Sequence, residues 1–122
     1  MALNHDIGKL GEDLATEYLE KDGFKIFDRN YKLERNEIDI VAFWDDPAEI
    51  HFVEVKTRTN TSASNPEDGL TEEQQKNMAK VARFYLRERQ LVTVPVVFDV
   101  IAVSMDDPDN PEIKHLEDVF RP

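Results

Sequence analysis

Two apolar runs of this chain each carry charged residues two positions apart. Glu37 and Asp39 lie in Asn36-Glu37-Ile38-Asp39-Ile40-Val41-Ala42-Phe43, and Glu54 and Lys56 in Ile50-His51-Phe52-Val53-Glu54-Val55-Lys56. On extended strands that spacing sends both members of a pair to one face. If the two runs form a hairpin, the carboxylates and the ammonium converge. Hard carboxylate oxygens suit Mg²⁺ or Mn²⁺, ions that keep waters for phosphate substrates. Such an ion acidifies an attacking water and neutralises charge developing on phosphorus oxygens, while a nearby ammonium orients that water or stabilises the transition state. The set is thus equipped to hydrolyse a phosphodiester. The same residues could instead form cross-strand ion pairs worth about 0.2–1 kcal/mol each, and spacing alone leaves both readings open. The apolar neighbours Ile38, Ile40, Val41, Phe52, Val53 and Val55 point to buried strands, where charge is costly unless it is paired or metal-bound.

The elements that must position these residues follow from periodicity. Ile7, Leu10, Gly11, Leu14, Ala15, Tyr18 and Leu19 recur at helical spacing over residues 6–21, with Asp6 or Asn4 as cap and Gly23 as stop. Residues 24–31 mix aromatic and β-branched side chains and predict a strand, followed by a turn near Arg35-Asn36. The strands over 37–43 and 50–56 are separated by the Asp45-Asp46-Pro47 turn. Residues 57–69, rich in Thr, Ser, Asn and Pro, predict a mobile surface loop. Thr71-Glu72-Glu73-Gln74 is a capping-box pattern opening a helix to about Gln90. A fourth strand spans 96–103, and the tail 113–120 is expected to run from a short strand into a helical turn. The order αβββαβ predicts a mixed central sheet flanked by helices, in the α/β (α+β) class.

With 122 residues, 15 Lys+Arg against 26 Asp+Glu, a net charge of −11 and 40% hydrophobic residues, the chain is expected to be one globular domain over 1–122. The lack of Cys excludes disulfides and thiolate chemistry and fits a reducing compartment, so a cytoplasmic location is expected. No apolar run approaches the ~20 residues of a membrane span. A passive coat on nucleic acid is disfavoured, because such binding needs many Lys and Arg.

Other residues carry less. His5, His51 and His115 are scattered, without a ligand pattern, and read as surface or strand residues. Asp99, isolated on an apolar strand, reads as buried and hydrogen-bonded. Trp44 reads as a rim residue of the core. Lys76, Lys80, Arg83, Arg87 and Arg89 read as a solvated helix face.

The segments Gly11-Glu12, Arg29-Asn30, Asn36 to Ala42, Phe52-Val53-Glu54-Val55-Lys56-Thr57-Arg58, Ala82 to Leu86, Phe98-Asp99-Val100-Ile101 and His115 to Phe120 resemble the bacterial YraN-like family. That family is similar to the restriction-endonuclease-like PD-(D/E)XK superfamily, which includes Holliday-junction resolvases and RecB-type nucleases. The resemblance implies the same αβββαβ core. It implies Asp39 and Glu54 as metal ligands, Lys56 as catalytic lysine, and Glu12 as the helical carboxylate completing the metal site; Glu12 could equally be a solvent-facing helix charge. Glu37 is a ligand, a carboxylate behind the ligands, or a partner of Arg35 or Arg58. Gln74 falls where the family is expected to have a lysine or a glutamine, and serves the chemistry or only the capping box. Val97 stands where the family commonly has an arginine, removing one expected DNA contact.

These readings predict a Mg²⁺- or Mn²⁺-dependent nuclease-like protein acting on DNA, at branched or single-stranded structures. Arg29, Lys32, Arg35 and Arg58 are expected to supply local grip against the unfavourable net charge. By analogy with resolvases a homodimer is expected. The alternative is a non-catalytic nucleic-acid-processing adaptor that keeps the fold and works through protein partners.

Overall fold

The structure, a computed structural model, describes residues 4–59 and 69–122. Helix α1 spans Asn4–Asp22 and buries Ala15 and Leu19 completely. It ends where expected. Gly23, at φ +112, lets its own N–H reach the Glu20 carbonyl (3.1 Å) and the Phe24 N–H reach the Leu19 carbonyl (2.9 Å), closing the helix with a glycine in the left-handed region. Strands β1 (Lys25–Leu33), β2 (Asn36–Trp44) and β3 (Glu49–Arg58) follow as an antiparallel meander.

Helix α2 (Glu72–Glu88) starts from the expected capping box: Thr71 Oγ1 accepts from the Gln74 N–H, and the Gln74 side chain accepts from the Thr71 N–H. It carries the chain across to β4 (Val96–Ser104), which pairs parallel to β3, a geometry that requires such a crossover. Strand β5 (Glu112–Phe120) returns antiparallel to β4, so the sheet order is β1-β2-β3-β4-β5. This is the mixed sheet and the αβββαβ core of the restriction-endonuclease-like fold, with one strand added at its end.

The two helices cover opposite faces. Ala15, Leu19 and Phe24 pack on Ile40, Val53, Ile101 and Val103, while Met78, Val81, Ala82 and Tyr85 pack on Ile38, Val41, Phe52 and Phe98. Dispersing the apolar residues over both faces explains why β2, β3 and β4 read as continuous hydrophobic runs.

Two expectations change. The tail forms no helical turn: it stays a strand to Phe120, because a register shift between Phe98 and Val100, with Asp118 at φ +56, absorbs the irregularity within the ladder. The strand expected to end at Lys56 continues to Arg58, taking Thr57 and Arg58 out of the predicted loop; residues 60–68 of that loop lie outside the described residues. No helix among the described residues is long and apolar enough to cross a membrane.

Candidate active site

The β2–β3 ladder ends at the Ile40–Val53 pair. Beyond it β2 loses its regular alternation: Ile38 packs toward α2 and Ile40 toward α1, although two residues apart on a regular strand share a face. Asp39 sits at this break. Its Oδ2 accepts the Val55 N–H at 2.8 Å, so the carboxylate replaces a backbone partner and is drawn between the two strands. Glu54, the next residue back along β3, shares a side-chain hydrogen bond with it.

Burial and the adjacent Glu54 charge push the Asp39 carboxyl up to about 8, against the opposing pull of the Val55 N–H; Glu12 adds to the rise. Glu54 is also raised, by burial first, with Asp39 and Lys56 opposing and the charges of Glu12 and Glu37 reinforcing. Two half-buried carboxyls that cannot both ionise cheaply form a site deficient in positive charge. Lys56, half-buried on the same strand, offsets only part of it. A donor set of hard oxygens with excess negative charge fits Mg²⁺ or Mn²⁺.

The other predicted acids stand further off. Glu12 is brought near by Gly11, where an added Cβ would lie 1.8 Å from Thr57 Oγ1, so only glycine permits this approach of α1 to β3. Its Oε1 accepts from Asn30 Nδ2 at 2.9 Å and faces Arg29 Nη2 at 3.9 Å. Asn30, at φ +52, interrupts the β1–β2 pairing opposite Asp39, which frees its amide to reach the helix. Glu37 is exposed, opposite Lys32 in the ladder, and shares with Glu54, Gln74 and Arg35 the wall of a shallow hollow of about 160 Å³. Gln74 therefore has both of its expected roles available: it borders the site while its side chain closes the capping box.

The expected basic patch is not one patch. Arg29 is committed to Asp13 (Nη2 to Oδ1, 2.8 Å) and leaves its buried Nε without a partner among the described residues. Arg58 donates to the Thr57 carbonyl at 3.0 Å. Lys32 and Arg35 are exposed at the β1–β2 hairpin, Arg35 lining the hollow and Lys32 opposite its Glu37 in the ladder. On α2, Lys80 meets Glu34 (3.3 Å) and Arg89 meets Asp28 (3.1 Å). Trp44 packs against Phe24 with ring centroids 4.9 Å apart, at the rim of the α1-side core as expected.

One cluster escaped the sequence reading. His51 on β3 and His115 on β5 are strand residues, one of the two expectations, but they are not scattered: both rings converge on Asp99 of β4, His51 Nδ1 at 2.6 Å and His115 Nε2 at 2.8 Å from the same Oδ2. Asp99 is fully buried and hydrogen-bonded, as expected of it, with Oδ1 accepting the Asp118 N–H at 3.1 Å. Burial would raise Asp99, but the hydrogen bonds from His115 and His51 outweigh it and hold the carboxyl low. Burial likewise pulls His51 down, and Asp99 and Glu49 outweigh that and hold it high. With Glu117 these side chains offer ligand atoms within 4.8 Å of one another and could hold a metal ion. β3 lies far in sequence from β4 and β5, and only the pairing of the three strands makes the group. The side chain of His5 lies outside the described residues.

A cavity of about 830 Å³ lies along α2, β4 and β5, away from Asp39 and Glu54. An extended polymer needs an open edge rather than an enclosed chamber, so cavity size does not locate this chemistry.

Residues 11–103 match the uncharacterised protein family UPF0102. A UPF0102 protein of Chlorobium limicola is 41% identical over 95% of this chain and 92% of its own length. One of Clostridium perfringens is 37% identical over 97% and 96%, and one of Geobacter sulfurreducens is 38% identical over 96% and 90%. A match of this breadth includes α1, the meander with Asp39, Glu54 and Lys56, α2 and β4, and the chain belongs to the UPF0102 (YraN-like) family.

Proposed function

We propose that the protein is a divalent-metal-dependent nuclease that hydrolyses DNA phosphodiester bonds at branched or single-stranded structures. The observation that carries this reading is the half-buried Asp39–Glu54 pair, hydrogen-bonded together at the point where β2 and β3 part, with Lys56 beside it. A scaffold that wanted only ion pairing would not place two carboxyls in contact, since burial and mutual repulsion both oppose their charge.

Asp39 and Glu54 would hold the ion, with Glu12 behind them steadied by Asn30. When bound, the ion supplies Lewis acidity and a water of lowered pKa. The Val55 N–H fixes Asp39 Oδ2 and Glu54 shares a hydrogen bond with the same side chain, which together hold the carboxyl in place. Lys56 orients the attacking water and balances charge on the phosphoryl oxygens. Lys32 and Arg35 grip the neighbouring phosphates at the open edge. Because the net charge of −11 repels DNA at long range, the grip is local, and a protein partner supplies the remainder.

The test is cleavage of labelled linear, flapped and four-way DNA with Mg²⁺ or Mn²⁺, comparing the wild type with Asp39→Ala plus Glu54→Ala and with Lys56→Ala. The expected result is metal-dependent cutting, lost in both variants while their circular dichroism stays native. Absence of cutting by the wild type on every substrate overturns the reading and favours the adaptor.

A further inference from the structure

We infer that His51, Asp99, His115 and Glu117 form a second metal site, for one transition-metal ion of the zinc, cobalt(II) or iron(II) type, which fastens the edge strand β5 to β3 and β4.

The ligand chemistry comes first. Two imidazole nitrogens and a buried carboxylate, with a second carboxylate at the mouth, are the donors such ions select and Mg²⁺ does not. His51 and Asp99 are buried, at 2% and 0% exposure, His115 is half-buried with its side chain turned inward, and Glu117 is exposed. Their ligand atoms lie within 4.8 Å of one another. Two ligands on a tetrahedral ion with bonds near 2.1 Å are about 3.4 Å apart. The observed imidazole-to-carboxylate contacts of 2.6 and 2.8 Å need to open by well under 1 Å to admit one.

The surroundings are those of a metal centre. The remaining polar atom of each of two ligands is already held: His51 Nε2 by Glu49 Oε1 at 3.2 Å, and Asp99 Oδ1 by the Asp118 N–H at 3.1 Å. A carboxylate on the far nitrogen of a ligating histidine fixes its ring and raises its basicity. Phe24 and Tyr18 wall the inner side, Phe24 edge-on to His51 at 4.9 Å and Tyr18 edge-on to His115 at 6.0 Å. The outer side opens on the large cavity through Glu49, His51 and Glu117, which gives the ion a way in.

In the metal-free protein the two ring N–H groups fill the place of the cation by donating to Asp99 Oδ2. Binding requires both nitrogens to give up those protons, to solvent or to the other nitrogen of the ring, so that each lone pair faces the ion. The site lies about 10 Å along β3 from Glu54, so the two centres load separately.

The test uses the full chain freed of metal by chelation, titrated with Co²⁺ alone and followed by visible d–d absorption and metal analysis, then with Zn²⁺ as competitor. The expected result is one equivalent of Co²⁺ with ligand-field bands, displaced by Zn²⁺ and resisting millimolar Mg²⁺. The same spectrum is expected in Asp39→Ala plus Glu54→Ala, so this centre stands or falls apart from the nuclease site. Binding should be lost in His115→Gln and at least about 10-fold weaker in Glu117→Gln, an exposed change that leaves the core untouched. No ligand-field spectrum from the folded wild type, an unchanged spectrum in both variants, or displacement by Mg²⁺ overturns the proposal.

Discussion

Strand β3 carries two titratable groups facing opposite electrostatic problems, Glu54 half-buried and His51 buried. At Glu54 the neighbour is another carboxylate, and both acids are driven up; at His51 the neighbour is Asp99, and acid and base move apart, the acid down and the imidazole up. Burial resists charge at each place, and what differs is the partner. The carboxylate pair is offset only in part by Lys56, and in the proposed function a hard divalent cation makes up the rest. The histidine cluster meets its carboxylate with ring N–H groups, whose place a metal with affinity for nitrogen would take in the further inference. One strand would thus serve one hard-metal site and one borderline-soft one.

The sharpest way to break this contrast is to cross the two sites. Asp39→Ala with Glu54→Ala should reduce DNA cleavage by about 10³-fold or more, and Lys56→Ala by about 10²–10³-fold. His115→Gln should leave the rate within about twofold, because the sites share no ligand. Initial rates on four-way DNA decide it, and a large loss in His115→Gln would merge the two sites into one.

Next in size is the approach of α1. Gly11→Ala forces a Cβ into Thr57 and should cost about 1–3 kcal/mol in urea unfolding, with part recovered by adding Thr57→Ala.

The pH dependence separates the sites further. Without metal, the raised Asp39 holds a proton that the unfolded chain releases, so stability should fall as pH climbs from the ordinary 3.8 through about 8. Asp99, held low, contributes stability that is lost as pH falls through its depressed value. His51, held high, contributes stability below 6.5 that is lost as pH rises through its elevated value. Urea midpoints across this range should show Asp39→Asn flattening the decline toward pH 8 while leaving the acid limb unchanged. Asp99→Asn should remove the acid limb.

The smallest effect is expected at Asn30. Asn30→Gly keeps the left-handed backbone but drops the hold on Glu12, and calorimetry should show Mg²⁺ binding weakened by up to about 10-fold.

Much of the architecture was readable before the structure. Both helices, the Gly23 stop, the Thr71–Gln74 cap and four strands follow from side-chain periodicity and local hydrogen-bond chemistry, which act over a few residues. The fifth strand differs from expectation over its second half: pairing on either side, at Leu116 and Phe120, carries the strand past Glu117 and the left-handed Asp118. Asp39, Glu54 and Lys56 stood out because their charges interrupt apolar strands two residues apart. Their contact did not, because it depends on β2 leaving the ladder after Ile40.

Local interactions are written in the order of residues, and they specify the elements, their ends and the charges that buried strands must answer for. Long-range pairing is not written there. That His51, Asp99 and His115 meet across three strands, that Gly11 admits Thr57, and that Asn30 turns to steady Glu12 were settled by sheet register and helix docking. Contacts between residues dozens of positions apart arise only when the whole core packs and each element takes its place against the others.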